Sequence, residues 1–247
     1  MAQVSLVPEL MKSKFPGFSP DALSFLRALK RNNRREWFQP RKEKFETLIK
    51  APMLELIEAL NHRFMDFAPQ YITPPQKSVY RIYRDTRFSK DKTPYKTRVS
   101  AIFPRSTALK RGGAVFYFHF TEKELLIFGG VYAPERDELL AYRALVAEQH
   151  EEFRQILADK PIKRLGGLQG EQMTRMPKGY AEDHPADKLL RHKQWFLETT
   201  VDARLVTSPK VVTEIAKHFA VMLPMVEFLN RPFAHKEKRK KMVFAAF

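Results

Sequence analysis

Residues 81–98 hold a cluster of side chains that can bind a ligand through charge. This segment contains seven Lys or Arg residues and two Asp residues, which give it a local net charge of +5. Arg offers planar two-point hydrogen bonding, Lys a compact charge, and the backbone N–H groups of a turn add further donors. Because Ser89, Asp91 and Pro94 favour turns, we expect the cations to converge from a loop. The segment therefore predicts a site for a phosphate, sulfate or carboxylate group.

The chemistry of such a site assigns roles to individual residues. Asp85 and Asp91 can orient the cations, hold a divalent ion beside the anion, or move a proton. The alternative is a solvated charge run in which Asp–Arg pairs stabilise the loop, since surface pairs are common and weak. The candidate ligand-binding residues are Arg81, Arg84, Arg87, Ser89, Lys90, Lys92, Tyr95 and Lys96, with Arg35 and Lys178 added from outside the segment.

A glycine-rich stretch later in the chain offers a second wall for the same site. It contains Met176-Pro177-Lys178-Gly179-Tyr180 followed by Asp183-His184-Pro185. Lys178 can donate to an anion, and His184 beside an aspartate can act as a general acid or base. The alternative is an ordered loop in which Asp183 or His184 caps a helix entered at the following proline.

The segment Asn32–Phe38 combines amides, cations and aromatic rings, as surfaces that bind single-stranded nucleic acid do. The alternative is the end of a helix whose aromatic residues anchor the next element in the core. We favour that alternative for Trp37 and Phe38, because large aromatic side chains usually pack. The roles of Arg34 and Arg35 stay open.

These motifs, taken in order, resemble a known family. The string RDTRFSKDKTPYK, preceded by NNRREWF and followed by GGVYAP, MPKGY and DHP, is similar to the signature series of domain-of-unknown-function family 2461, which contains bacterial and fungal proteins. The resemblance extends from about residue 18 to the last predicted helix. It implies no activity, but it implies that the following residues occupy motif positions: Asn33, Arg35, Trp37, Phe38, Arg84, Asp85, Arg87, Phe88, Ser89, Lys90, Asp91, Lys92, Pro94, Tyr95 and Lys96.

Several classes of chemistry lack their sequence signatures. The chain has no cysteine, so disulfides, thiolate nucleophiles and thiolate zinc sites are excluded. There is no Walker A motif, no GxGxxG, no GxSxG and no HExxH. The seven histidines are scattered, and His119, between two phenylalanines of a predicted strand, is expected to be packed or hydrogen-bonded rather than catalytic. We predict no metal site and no cofactor.

The elements that must position the basic segment begin with helices. Ser19-Pro20-Asp21 predicts a helix start, and Asn32-Asn33 predicts a left-handed stop. A second helical pattern follows, in which Pro52 either kinks the helix or starts a third one. The first third of the chain is therefore expected to be helical.

A sheet and further helices are expected next. Strands are predicted at 79–83, 99–103, 114–120, 125–132 and 195–201, with the third of these joined to its neighbours in an antiparallel meander. A long helix is predicted from Pro134 to Lys160-Pro161, a loop with one edge strand over 163–184, and a last helix capped by Ser208-Pro209 that can kink at Pro224.

These elements predict an α+β fold with N-terminal helices, a central mainly antiparallel sheet, and C-terminal helices packed against it. We expect one domain over residues 1–234, with residues 1–17 flexible, and a basic tail over 235–247. The first 30 residues show no signal peptide, and no 18-residue window is apolar enough to span a membrane. A cytoplasmic protein without membrane contact is the expectation, and its oligomeric state is not specified.

Charge directs the functional hypothesis. The chain has 44 Lys and Arg residues against 28 Asp and Glu residues, which gives a formal net charge of +16. Nucleic acid is the leading partner, bound through backbone phosphates more than through base readout. One alternative is an enzyme for a small phosphorylated or carboxylated metabolite, in which Arg84, Arg87 and Lys92 hold the anion and Asp85 or His184 moves the proton. The other alternative is an interaction module for an acidic protein.

Overall fold

A computed structural model describes residues 15–105 and 112–233. Four strands form one sheet: β1 (Val99–Pro104), β2 (Val115–Phe120), β3 (Glu124–Val131) and β4 (Trp195–Asp202). The described α-helices are α1 (Pro20–Arg31), α2 (Arg35–Phe38), α3 (Lys42–Phe45), α4 (Ala51–Phe67), α5 (Pro75–Ser78), α6 (Arg136–Glu148), α7 (His150–Ala158), α8 (Lys160–Arg164), α9 (Asp187–Leu190) and α10 (Lys210–Asn230).

Helix α1 begins as its sequence predicts and ends differently. The Ser19 hydroxyl accepts a hydrogen bond from the Asp21 backbone N–H at 3.2 Å, which confirms the predicted cap. The left-handed stop is wrong, because Asn32 has a φ of −130° and no described residue other than glycine has a positive φ. Instead, the Asn32 side chain donates a hydrogen bond to the Ala28 carbonyl at 3.0 Å. This bond gives a partner to a carbonyl in the last turn of the helix.

Pro52 starts a helix, which confirms one of the two predicted alternatives. It lies in the first turn of α4, although Lys50 before this turn already has a helical φ of −72° and ψ of −46°. The turn before it, Glu46–Lys50, is π-helical, and this widened turn joins α3 to α4.

The sheet is antiparallel throughout, in the order β1-β2-β3-β4, so the predicted meander and the α+β class are confirmed. The predicted strand at 79–83 is wrong as a continuous strand. Val79 and Tyr83 make only isolated bridges, to Ala101 and Tyr95, because the chain leaves the edge of β1 and folds back on itself.

Two further predictions need correction in the second half. The helix expected from Pro134 is interrupted at Gln149, which separates α6 from α7, and Lys160-Pro161 starts α8 rather than ending a helix. Proline fits the first turn of α8 because no hydrogen bond is lost there. The expected edge strand in 163–184 is reduced to two isolated bridges, Gln169 to Phe196 and Gln172 to His192.

Helices cover one face of the sheet. Phe116, Phe118 and Phe120 of β2 point into the hydrophobic core, where Phe116 meets Phe219 of α10 with ring centroids 4.7 Å apart. Gly129 of β3 lets α10 approach closely, because a Cβ atom there would lie 3.0 Å from Met222. Helix α10 continues past Pro224. The opposite face of the sheet carries the alternating residues of the strands and is the face that the basic segment borders.

The division into one domain and a basic tail stays a prediction, since residues 234–247 lie outside the described residues. Within 15–105 and 112–233, no helix combines the length and the apolar character that crossing a membrane requires.

Candidate functional site

The base of the 81–98 loop is a narrow backbone hairpin. The Arg84 N–H donates to the Pro94 carbonyl at 2.9 Å, and the Lys96 N–H donates to the Ile82 carbonyl at 2.8 Å. Tyr95 is buried, and its ring stacks on Phe38 with centroids 4.1 Å apart. This contact confirms that Phe38 belongs to the core. Trp37 also packs against the core, with its ring 5.7 Å from that of Phe25.

The side chain of Asn33 fixes this hairpin to the end of α1. Its Nδ2 donates to the Tyr95 carbonyl at 2.8 Å, and its Oδ1 accepts from the Tyr95 N–H at 3.0 Å. The amide therefore pairs with Tyr95 as a neighbouring strand would. We predicted a helix stop for Asn33 and missed this function. The one indication in the sequence that Asn33 has a role beyond the helix end was its position in the NNRREWF motif.

Ion pairs engage two of the predicted anion-binding arginines. Arg87 makes a two-point contact with Asp85, with N–O distances of 3.0 and 2.8 Å. Arg84 contacts Asp91 and Thr93, and lies 3.4 Å from the Ser89 hydroxyl. These are the Asp–Arg pairs that the loop-stabilising alternative predicts. They leave Arg84 and Arg87 partly neutralised.

The same contacts hold both carboxylates in their charged form. Hydrogen bonds from Arg87 lower the pKa of Asp85 to about 2. The backbone N–H of Thr93, followed by Arg84, lowers the pKa of Asp91 to about 2. Neither group is poised to exchange a proton near neutral pH.

These shifts predict how the loop responds to acid. Because each carboxyl has a lower pKa in the folded loop than in the unfolded chain, its ion pair stabilises the folded loop at pH values above the unfolded-chain pKa. This stabilisation is lost as the pH falls through the pKa of the folded loop. We expect the side-chain carboxyl carbon signals of Asp85 and Asp91 to titrate in NMR with midpoints near pH 2. Midpoints at the ordinary value of about 4 would mean that the pairs are absent in solution.

A groove of about 510 Å³ runs along the loop and the end of α1. It is lined by Lys30, Asn33, Arg84, Asp85, Asp91, Thr93, Tyr95, Lys96, Thr97 and Arg98. The Lys30 ammonium is paired with Glu122 at 2.8 Å. Lys96 and Arg98 have no acidic partner within the described ranges. Burial, followed by the nearby charges of Arg98 and Arg81, lowers the pKa of Lys96. We define Lys96 and Arg98 as the unpaired cation cluster, beside which Arg81 interacts through its charge with both Lys96 and the carboxylate of Asp85.

The other predicted ligand residues divide between the loop tip and distant positions. Lys92 donates to the Thr86 carbonyl at 2.9 Å, and Lys90 is exposed at the tip. Arg35 begins α2, and its charge lowers the pKa of Tyr95 against the larger raising effect of burial.

Lys178 and His184 do not line the groove. The His184 Nδ1 accepts a hydrogen bond from the Ala186 N–H at 3.0 Å, just before α9. This bond orders the turn before α9, but no side chain of the described residues caps the first N–H groups of that helix, so the predicted cap by Asp183 or His184 is wrong. Lys178 is exposed in the same loop.

A second cavity, of about 500 Å³, lies on the outer face of the sheet and shares Lys96 and Arg98 with the groove. It is lined by Tyr80, Lys96, Arg98, Ser100, Ile102, Val115, Tyr117, His119, Leu126, Phe128, Tyr132 and Glu198. The sequence analysis did not single out this face as a site. The signal available was the alternation in VFYFHF, which places Tyr117 and His119 opposite the core-facing phenylalanines.

His119 is buried as predicted, with 7% of its surface exposed, and its Nδ1 has no hydrogen-bond partner in the described part of the chain. Burial, followed by the charge of Arg98, lowers the pKa of His119 to about 4, so the imidazole is neutral at pH 7. Burial also raises the pKa of Glu198. The described residues contain no cluster of three or more His, Asp or Glu side chains placed to hold a metal ion.

Comparison with known proteins identifies the family and nothing more specific. The family described as "Conserved hypothetical protein (DUF2461)" matches residues 21–228, which include the loop, the groove and the whole sheet. No curated protein and no solved structure matches the chain. The chain therefore belongs to the DUF2461 family, as its motif series indicates.

Proposed function

We propose that the groove beside the 81–98 loop binds phosphate groups and that the ligand is nucleic acid. The observation that carries this proposal is the unpaired cation cluster. Burial, followed by the charges of Arg98 and Arg81, lowers the pKa of Lys96, and neither Lys96 nor Arg98 forms an ion pair with an acidic side chain of the described residues. A phosphate placed between these groups would relieve their mutual repulsion and form charge-assisted hydrogen bonds.

The frame around the cluster is suited to such binding. Asn33 and the buried Tyr95 fix the backbone next to Lys96, so the cation is held in place before a ligand arrives. Preorganisation of this kind lowers the entropy lost on binding. The Arg84–Asp91 and Arg87–Asp85 pairs stabilise the loop, while Lys96 and Arg98 retain their charge for the ligand.

Nucleic acid is favoured over a small anion by the extent of the charge. The formal net charge of +16 greatly exceeds what one phosphate requires. Phosphate contacts dominate nucleic-acid affinity and steer association. The groove is lined by the unpaired Lys96 and Arg98 and also by Lys30 and Arg84, whose charges are shared with Glu122 and Asp91, so several cations lie near a bound chain of phosphates.

An enzyme acting on a small metabolite is supported less well. Its proton-transfer candidates Asp85 and Asp91 are held as carboxylates by their partners, and the His184 Nδ1 is engaged by a backbone N–H. An acidic protein remains the partner that would explain salt-sensitive binding without nucleic-acid binding.

Fluorescence anisotropy with a labelled single-stranded oligonucleotide tests the proposal. We expect the Lys96→Ala/Arg98→Ala variant to bind at least about 100-fold more weakly than wild type, since it loses two charge-assisted contacts of about 1.5–3 kcal/mol each. The control is Lys163→Ala/Arg164→Ala, which removes the same charge at the exposed end of α8. Equal weakening in both variants would show that only total charge matters. Absence of binding in wild type at low salt would refute the proposal.

Phe88 gives a second prediction. Its side chain is 95% exposed at the loop tip, with the Arg87 guanidinium 5.7 Å from the ring centroid. We expect Phe88→Ala to change the free energy of unfolding by less than about 0.5 kcal/mol, because the ring buries almost no surface. We also expect weaker oligonucleotide binding, because an exposed ring can stack on a base. A loss of stability with unchanged affinity would assign Phe88 to the fold instead.

A further inference from the structure

The outer face of the sheet forms an aromatic floor with a regular arrangement. The strand register places Ile102, Tyr117, Phe128 and Glu198 in one row across the four strands, and Ser100, His119, Leu126 and Thr200 in the next row. Because successive residues of a strand point to opposite faces, both rows face away from the core. Apart from Thr200, the residues of both rows line the 500 Å³ cavity and form its floor.

The rings on this face present both flat surfaces and edges. The Tyr117 and Phe128 centroids are 6.3 Å apart with an angle of 87° between the rings, and Tyr80 stands edge-on to Tyr117 at 6.2 Å. Tyr80 and Tyr132 are 42% and 64% exposed, respectively. A second flat ring can therefore enter the cavity and pack against aromatic side chains, as bases do on sheet platforms.

A polar side chain also lines the cavity. The His119 imidazole is among the lining residues, and a neutral imidazole offers one donor and one acceptor. Its Nδ1 is buried, so a hydrogen bond to the edge of a heterocyclic ring in the cavity would have to come from Nε2.

Charge connects this cavity with the groove. Lys96 and Arg98 line both, and the Lys96 ammonium lies 4.9 Å from the centroid of the Tyr80 ring. The two cations therefore stand where an aromatic floor meets a site for anions. We propose that the sheet-face cavity stacks an unpaired nucleobase while the phosphate joined to it lies against Lys96 and Arg98. This inference rests on the proposed function and deepens it by naming a single-stranded ligand.

Unpaired bases are required because a duplex keeps its bases stacked inside and presents only edges and backbone. Stacking tolerates every base, since each has a π face, so the inference predicts little sequence preference. This lack of sequence preference agrees with the expectation that the protein contacts backbone phosphates more than base edges.

The test compares two labelled single strands of equal length and charge, one with bases and one abasic. In wild type we expect the strand with bases to bind about tenfold more tightly, as base stacking requires. The Tyr117→Leu/Tyr132→Ala variant should lose most of this ratio while retaining its affinity for the abasic strand. The single variant Tyr132→Ala removes a side chain that is 64% exposed, and it should lose part of the ratio at a smaller cost in stability than the double variant. Competition between a 5′-mononucleotide and the labelled strand with bases shows whether a free nucleotide or a strand supplies the base. A mononucleotide that displaces the strand at similar concentration identifies the free nucleotide as the source.

The possible results separate the two proposals. Equal binding of both strands by wild type would overturn the stacking inference and leave phosphate binding in place. An unchanged ratio in both tyrosine variants, with circular dichroism showing a folded protein, would also overturn the inference. Failure of wild type to bind either strand would overturn both proposals. Preference for a duplex over the strand with bases would exclude an unpaired base as the ligand.

Discussion

Replacement of Asn230 by alanine is expected to lower the free energy of unfolding by about 3 kcal/mol, because it leaves buried polar groups without partners. Asn230 is 3% exposed at the end of α10. Its Oδ1 accepts from the Ala114 N–H at 2.9 Å, and its Nδ2 donates to the Ala114 carbonyl at 2.9 Å and to the Tyr71 hydroxyl at 3.0 Å. The amide thus joins the last helix to the chain entering β2.

Urea unfolding followed by circular dichroism measures this effect. The control is Lys217→Ala on an exposed position of the same helix, for which we expect a change within about 0.5 kcal/mol. If Asn230→Ala were as stable as the control, the buried amide network would not contribute as the structure indicates.

Replacement of Asn33 by alanine is expected to lower the free energy of unfolding by about 2 kcal/mol, because both hydrogen bonds with Tyr95 are lost. The Tyr95 side chain is 1% exposed, so water replaces those bonds poorly. Since the same contact positions the backbone beside Lys96, oligonucleotide binding should weaken about tenfold at a temperature where the variant is fully folded. Stability and affinity should therefore change together.

Asn32→Ala is the matched control. Its amide makes one hydrogen bond, to a carbonyl of its own helix, and within residues 15–105 and 112–233 it makes none with the loop. We expect a cost below about 1 kcal/mol and unchanged oligonucleotide affinity. Equal stability of the two alanine variants would contradict the role of Asn33 as the clamp on the loop.

Local signals predicted those parts of the fold that local physics decides. Ser19-Pro20-Asp21 places the start of α1, and polar residues at 121–124 place the turn between β2 and β3, because a cap and a turn need only neighbouring residues. The residue types at 79–83 favour a strand, but this segment forms only isolated bridges at single positions. Long-range packing decides which part of the chain lies beside it, and the local sequence does not contain that information.

The site was predicted at the level of a segment and not of individual contacts. Charge density located the 81–98 loop, but it did not distinguish Arg84 and Arg87, which pair with aspartates, from Lys96 and Arg98, which do not. That difference depends on side-chain geometry across the hairpin. The sheet-face cavity was missed for a related reason: Tyr80, Tyr117 and Phe128 come together only through strand register and the return of the loop.

The salt dependence of oligonucleotide binding tests the central claim most directly. For wild type, the logarithm of the binding constant should fall linearly with the logarithm of salt concentration. In Lys96→Ala/Arg98→Ala the slope should be shallower by about 1.4, since each phosphate contact on a single strand contributes about 0.7. The Lys163→Ala/Arg164→Ala control should keep the wild-type slope. A slope that stays unchanged in the groove variant, or that falls equally in the control, would show that Lys96 and Arg98 do not contact phosphate.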